Sequence, residues 1–111
     1  MIRLETTIPP SANNAYPTGA HGKRFPTAEV KSWKSALGWN FAASRMKPIR
    51  GPYAVTIEVD RKCRKDLDNL AKVTLDALVD AGATDDDKHL QEITIRRADV
   101  KGAVITVEAA S

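Results

Sequence analysis

Asp66-Leu67-Asp68-Asn69-Leu70-Ala71-Lys72-Val73-Thr74-Leu75-Asp76-Ala77-Leu78-Val79-Asp80-Ala81-Gly82 reads as one amphipathic helix. Leu67, Leu70, Ala71, Thr74, Leu75 and Leu78 recur at three to four residues, the spacing that stacks side chains on one helical face. Asn69, Lys72, Val73, Asp76 and Asp80 fall on the other side, and Gly82 supplies the stop. A helix with a single apolar face must bury it against other elements, and the sequence on either side provides them.

Upstream, Tyr53, Val55, Ile57 and Val59 alternate with Ala54, Thr56, Glu58 and Asp60, the period of a half-buried strand. Before it, Thr27 is placed to cap a helix running to about Arg45, with Val30, Trp33, Leu37, Phe41 and Ser44 on its apolar side and Pro48 beyond its end. Trp39 falls off that stripe. The chain opens on Ile2, Leu4, Thr6 and Ile8 alternating with Arg3, Glu5 and Thr7, a first strand ended by Pro9-Pro10. Residues 9–26 then read as a long irregular loop, with a short hairpin around His21 to Phe25. Downstream of the helix, Ile93 and Ile95 mark one strand and Ile105 and Val107 another, joined by a turn near Asp99 to Gly102 and expected to pair as a hairpin. The order β-α-β-α-β-β gives an α+β fold, two helices packed on a mixed sheet. At 111 residues, one domain spanning 1–111 is expected.

The composition, 42% hydrophobic and 28% charged, is that of an ordinary globular chain. No stretch approaches the roughly 20 apolar residues of a membrane span, and MIRLETTIPP lacks the apolar run of a signal peptide. Cys63 is the single cysteine, so an internal disulfide is excluded and a reducing, cytoplasmic setting is expected. Net charge is +3, unevenly distributed. Residues 1–57 carry eight Lys/Arg against Glu5 and Glu29, whereas 66–92 carry eight acids against Lys72 and Lys88. Arg61, Lys62, Arg64 and Lys65 stand where the two regimes meet. Such a run suits a polyanion, though a solvated face carries the same pattern.

Asp66 and Asp68 flank Leu67 at a strand-to-helix junction, and Asp85-Asp86-Asp87 follows the helix. Clustered carboxylates repel and stay ionised together only beside a cation, so they suit Mg²⁺ or Mn²⁺. Helix capping explains Asp66 and Asp68 equally well, and a solvated turn explains the triple aspartate. A helix of about 14 residues is roughly 20 Å long, so the two groups meet only if the chain around Asp87 folds back. Lys72, one turn after Asp68, is placed either to neutralise charge at a phosphate or to join an Asp68, Lys72, Asp76 ladder. Asn69 orients the loop or a metal-bound water, or is simply a first-turn residue. Neither a glycine-rich phosphate loop nor a nucleophilic triad is visible.

The run Arg64-Lys65-Asp66-Leu67-Asp68-Asn69-Leu70, with Lys72, Asp76-Ala77-Leu78, Gly82 and Asp86-Asp87, resembles the signature of the RusA family of Holliday-junction resolvases. Ile8-Pro9-Pro10-Ser11-Ala12-Asn13-Asn14 is similar to that family's opening, and Thr27-Ala28-Glu29 with Trp33 to its helix start. The resemblance implies a homodimeric endonuclease of DNA recombination and repair that cuts four-way DNA junctions with Mg²⁺, Mn²⁺ being the alternative. It places the metal ligands at Asp66, Asp68 and Asp87, with Asp86 as second choice because Asp85 stands where an apolar residue is usual. It makes Lys72 the catalytic lysine and puts it with Arg64, Lys65 and Asn69 on the DNA, where Arg61 and Lys62 join them on charge alone. Two functions from other classes compete: a noncatalytic nucleic-acid-binding module, and a small metal-dependent phosphohydrolase.

Overall fold

The computed structural model describes residues 1–11 and 27–110, so most of the expected 9–26 loop, its hairpin and Asn13-Asn14 lie outside the described residues. The elements are β1 (Ile2–Thr6), α1 (Ala28–Ser44), β2 (Tyr53–Asp60), α2 (Leu67–Asp80), a single 3₁₀ turn (Asp87–His89), β3 (Leu90–Ala98) and β4 (Ala103–Ala109). The four strands form one sheet in the order β1-β4-β2-β3. β2 runs parallel to β3 and antiparallel to β4, and β1 is antiparallel to β4. This is the expected α+β class.

The sheet register explains why the alternation in sequence is so regular. Ile2, Val107, Val55 and Ile93 form one row across the sheet, and Leu4, Ile105, Ile57 and Ile95 the next. Both rows face the helices, and Ile2, Leu4, Val55, Ile57, Ile105 and Val107 are essentially fully buried there. The opposite face is polar: Arg3, Thr106, Thr56 and Thr94 make one row, and Glu5, Val104, Glu58 and Arg96 another.

Helix α1 begins where expected. The Thr27 hydroxyl accepts from the Val30 amide, and Arg45 closes the other end in a left-handed conformation. Its buried side is Val30, Trp33, Leu37 and Phe41. Two side chains also tie it to the end of β1: Trp33 Nε1 donates to the Thr7 carbonyl at 3.1 Å, and Asn40 Nδ2 donates to that of Glu5 at 2.7 Å. Trp39 stays at the surface, 78% exposed.

Helix α2 has the expected bounds, and Gly82 follows it with φ +76°. Its buried arc differs from the expected stripe, however. Val73, assigned from sequence to the polar side, is fully buried, together with Leu70, Thr74, Ala77 and Leu78, while Leu67, Ala71 and Leu75 are only partly covered. The helix packs against both the sheet and α1, so its apolar arc is wider than the stripe that periodicity alone selects.

The expected hairpin is not formed. β3 and β4 flank β2 instead of pairing, and the Asp99–Gly102 link steps over the end of β2. There the Asp60 amide donates to the Gly102 carbonyl and the Arg61 amide to that of Ala98. Strand periodicity and turn residues identify two strands and a tight link, and four residues suffice to cross the roughly 10 Å between next-nearest strands. Gly102 is required at this crossing: its φ is +65°, and a Cβ there would collide with the Thr6 carbonyl oxygen.

Candidate functional site

The β2-α2-β3 unit sets the positions of all the candidate residues. β2 ends at Asp60 and delivers the loop 61–66; α2 then returns along the sheet, and the 3₁₀ turn at Asp87 starts the parallel strand β3. The basic loop with Asp66 and Asp68 therefore lies at one end of β2 and β3, and Asp85 to Asp87 at the other. Eight paired residues of about 3.3 Å each separate the two ends by roughly 25 Å. Among the described residues, no group of three or more His, Cys, Asp or Glu side chains is gathered closely enough to hold a metal ion.

The basic end is built around a held loop. The Asp60 carboxylate accepts from the Lys62 amide at 2.9 Å and its carbonyl from the Cys63 amide at 2.8 Å, closing a tight turn. Cys63 is buried beneath it, which suits packing and not nucleophilic chemistry. Arg97 reaches across from β3: its Nε donates to the Cys63 carbonyl at 3.1 Å and its Nη2 to that of Lys65 at 3.0 Å. This fixes the backbone immediately before Asp66, the residue at the N-cap position of α2.

The six candidate DNA-contacting residues have different surroundings. Lys62, Arg64 and Lys72 are exposed. Arg61 pairs with Asp99 at 2.9 Å, both at the surface. Lys65 Nζ donates to the Pro9 carbonyl at 3.2 Å, fastening the loop to the Pro-Pro segment after β1. Asn69 sits half-buried in the first turn of α2. Asp66 and Asp68 are exposed on either side of half-buried Leu67.

At the acidic end the three consecutive aspartates have distinct partners. Asp85 accepts from the Gly51 amide at 2.6 Å and from Arg50 at 3.1 Å, and these bonds hold its carboxyl below the usual carboxylate range. Asp86 caps the 3₁₀ turn, accepting from the Lys88 amide at 3.1 Å. Asp87 faces Asp86 and, across the hollow, Asp76. The side-chain hydrogen bond with Asp86 and the repulsion of its charge raise the Asp87 carboxyl, while the same bond lowers that of Asp86. The open hollow beside them, about 340 Å³, is lined by Lys34, Asp76, Val79, Asp80, Asp86 and Asp87, with Lys34 bonded to Asp80 at 3.2 Å.

Residues 7–108 match the model of the endodeoxyribonuclease RusA family. The chain belongs to the RusA endodeoxyribonuclease family. Membership assigns it to the DNA endonucleases and gives it the Holliday junction as the family's substrate. The match begins just after β1 and covers both helices, the basic loop, β2, β3 and nearly all of β4, so the fold and the RusA-type motif come from the same residues. No curated protein matches the chain closely enough to count as a relative. Among the described residues, no helix is long and apolar enough to cross a membrane.

Sequence reasoning missed Arg97 as the residue that holds the loop. One signal was available: Ile93, Ile95 and Arg97 share a sheet face by period two, so Arg97 breaks an apolar row at its last position. Asp76, read from sequence as part of a charge ladder on the helix, also lines the hollow beside Asp87, because the turn after α2 folds back against the helix.

Proposed function

We propose that this RusA-family chain resolves four-way DNA junctions as a homodimer, by divalent-metal-dependent cleavage of paired phosphodiesters in recombination and repair. The observation that carries the reading is Asp66-Leu67-Asp68-Asn69 at the start of α2, directly below a basic loop and one turn before exposed Lys72. The donor set of Asp66, Asp68 and Asp87 is all hard carboxylate oxygen, which suits Mg²⁺ or Mn²⁺. One chain does not bring the three together, so in this reading Asp87 reaches the Asp66-Asp68 pair of a second chain. Of the triple aspartate, Asp85 is tied to the Gly51 amide and to Arg50, which leaves Asp87, with Asp86 second, as the ligand in this reading.

When bound, the ion would polarise the scissile phosphate and lower the pKa of a bound water. The protein's own groups do the rest. Lys62, Arg64 and Arg61 supply sequence-independent attraction to closely spaced phosphates, weakening steeply with salt. Lys72 faces the charge that develops on the phosphate, with Asp68 a turn away. Two sites related by a two-fold axis match the two equivalent strands of a junction.

A labelled four-way junction incubated with the protein and Mg²⁺ tests this. Paired symmetric nicks, lost in Asp68→Asn while junction binding persists, are expected. Junction binding without nicking in Mg²⁺ or Mn²⁺ would contradict it.

A further inference from the structure

The Asp99–Gly102 link carries a lysine to a place that sequence spacing does not suggest. Because β3 and β4 flank β2, the link steps over the end of β2 and lies against the first residues of the basic loop. Two backbone bonds fasten these segments together: the Asp60 amide donates to the Gly102 carbonyl at 2.8 Å, and the Arg61 amide to that of Ala98 at 3.0 Å. Between them is an open hollow of about 460 Å³, whose rim carries Arg61, Lys62 and Lys101 with Asp60 and Asp99.

The two acids do not silence the three cations. The Asp60 carboxylate is taken up by its own turn, accepting from the Lys62 amide at 2.9 Å. Asp99 accepts from Arg61 Nε at 2.9 Å, which leaves the rest of the guanidinium fork for a second anion. The two side chains of this pair are 64% and 89% exposed, and surface pairs of that kind break at little cost. Lys62 and Lys101 are exposed, and among the described residues neither enters an ion pair.

We infer that this hollow binds a backbone phosphate of a junction arm, held by Arg61, Lys62 and Lys101, and that Asp99 is an internal anion which the phosphate displaces from Arg61. The inference deepens the junction-resolving reading proposed above and rests on it. A phosphate presents anionic oxygens to the guanidinium as a carboxylate does, so it replaces Asp99 on the same group, and the two ammonium groups add to its hold. The segments bearing the three cations are already locked to one another by backbone bonds, so little ordering is lost on binding. The contact reads no base and therefore adds affinity without sequence preference. It lies at the end of the sheet that also carries Asp66 and Asp68. Asp99 sets the strength of the contact by competing for Arg61.

Junction binding with Ca²⁺ in place of Mg²⁺, read by fluorescence anisotropy over a salt series, tests it. Lys101→Ala should weaken binding about five- to tenfold on two junctions of unrelated sequence and lower the salt slope by about one, with Lys101→Arg binding as the wild type does. Asp99→Asn should tighten binding about three- to fivefold at low salt. That gain should vanish in the Arg61→Ala background, where the group it frees is missing. Circular dichroism of each variant should match the wild type. Unchanged affinity and slope in Lys101→Ala overturn the inference. So does an Asp99→Asn variant that binds no more tightly than the wild type, or whose gain persists without Arg61, since Asp99 would then be a general repulsive charge. Cleavage in Mg²⁺ separates the two ideas. The expected binding effects in a chain that never nicks remove only the function, nicking with both variants binding as wild type removes only this site, and a wild type that binds no junction removes both.

Discussion

The Arg97 guanidinium donates to the Lys65 carbonyl at 3.0 Å, tying the middle of an edge-strand end to the residue before Asp66. A second bond from the same group, to Cys63, makes the hold bidentate. Lysine offers a point charge where arginine offers a fork, so it replaces one of these bonds at most. Arg97→Ala is expected to lower thermal stability by about 1 kcal/mol, roughly 5 °C. It should slow junction cleavage at least tenfold, with Arg97→Lys between the two. Melting curves and single-turnover cleavage check this, and an Arg97→Ala rate equal to wild type would leave the loop's position irrelevant to activity.

Lys72 and Val73 are neighbours in sequence with opposite duties. Val73 is fully buried and Lys72 is exposed. Val73→Ala removes two buried methyl groups and should cost about 2 kcal/mol, near 10 °C in melting temperature, with activity retained below the transition. Lys72→Ala should leave melting within a degree or two and cut the rate by about 10²- to 10³-fold, the cost of losing one positioned charge at a transition state. The contrast between the two variants is the measurement.

The sheet rows and both helices were legible because period-two and 3.6-residue patterns report burial directly, as at Tyr53, Val55, Ile57 and Val59. What periodicity does not report is pairing. Ile93 and Ile105 announce strands on either side of a tight link, yet nothing local says that β2 will slide between them, since that choice depends on the parallel crossover through α2. The same limit hid Val73, whose burial follows from α1 packing alongside. In the candidate site, residue types and spacing pointed to Asp66, Asp68 and Lys72. The roles of Asp85 and Arg97 depend on contacts with Gly51, Arg50, Cys63 and Lys65, 32 to 35 residues away in sequence.

Asp85 makes the fold acid-sensitive in a defined direction. Its carboxyl is held low by the Gly51 amide and Arg50, so its contribution is present above the usual carboxylate range and is lost as pH falls through its lowered value. Asp85→Asn should therefore be less stable than wild type at pH 7, with the gap closing as the pH is taken down toward 3. Asp87, raised in the folded chain, contributes in the opposite sense, favouring the folded state at low pH and losing that contribution as pH rises through its raised value. Urea midpoints of wild type, Asp85→Asn and Asp87→Asn across that range separate the two. A gap between wild type and Asp85→Asn that is constant with pH would show that the carboxylate charge is not what holds residues 50–51.

The most direct test of a site shared between chains is subunit mixing. Chains carrying Asp68→Asn and chains carrying Asp87→Asn are unfolded together, refolded, and given a labelled four-way junction with Mg²⁺. Each variant alone should be inactive. In the mixed dimer one site carries both substitutions, while the other keeps Asp66 and Asp68 from one chain and Asp87 from its neighbour, so nicking of one strand should return. A mixture as inactive as either variant, beside wild type refolded in the same way and cutting normally, would contradict a site built from two chains.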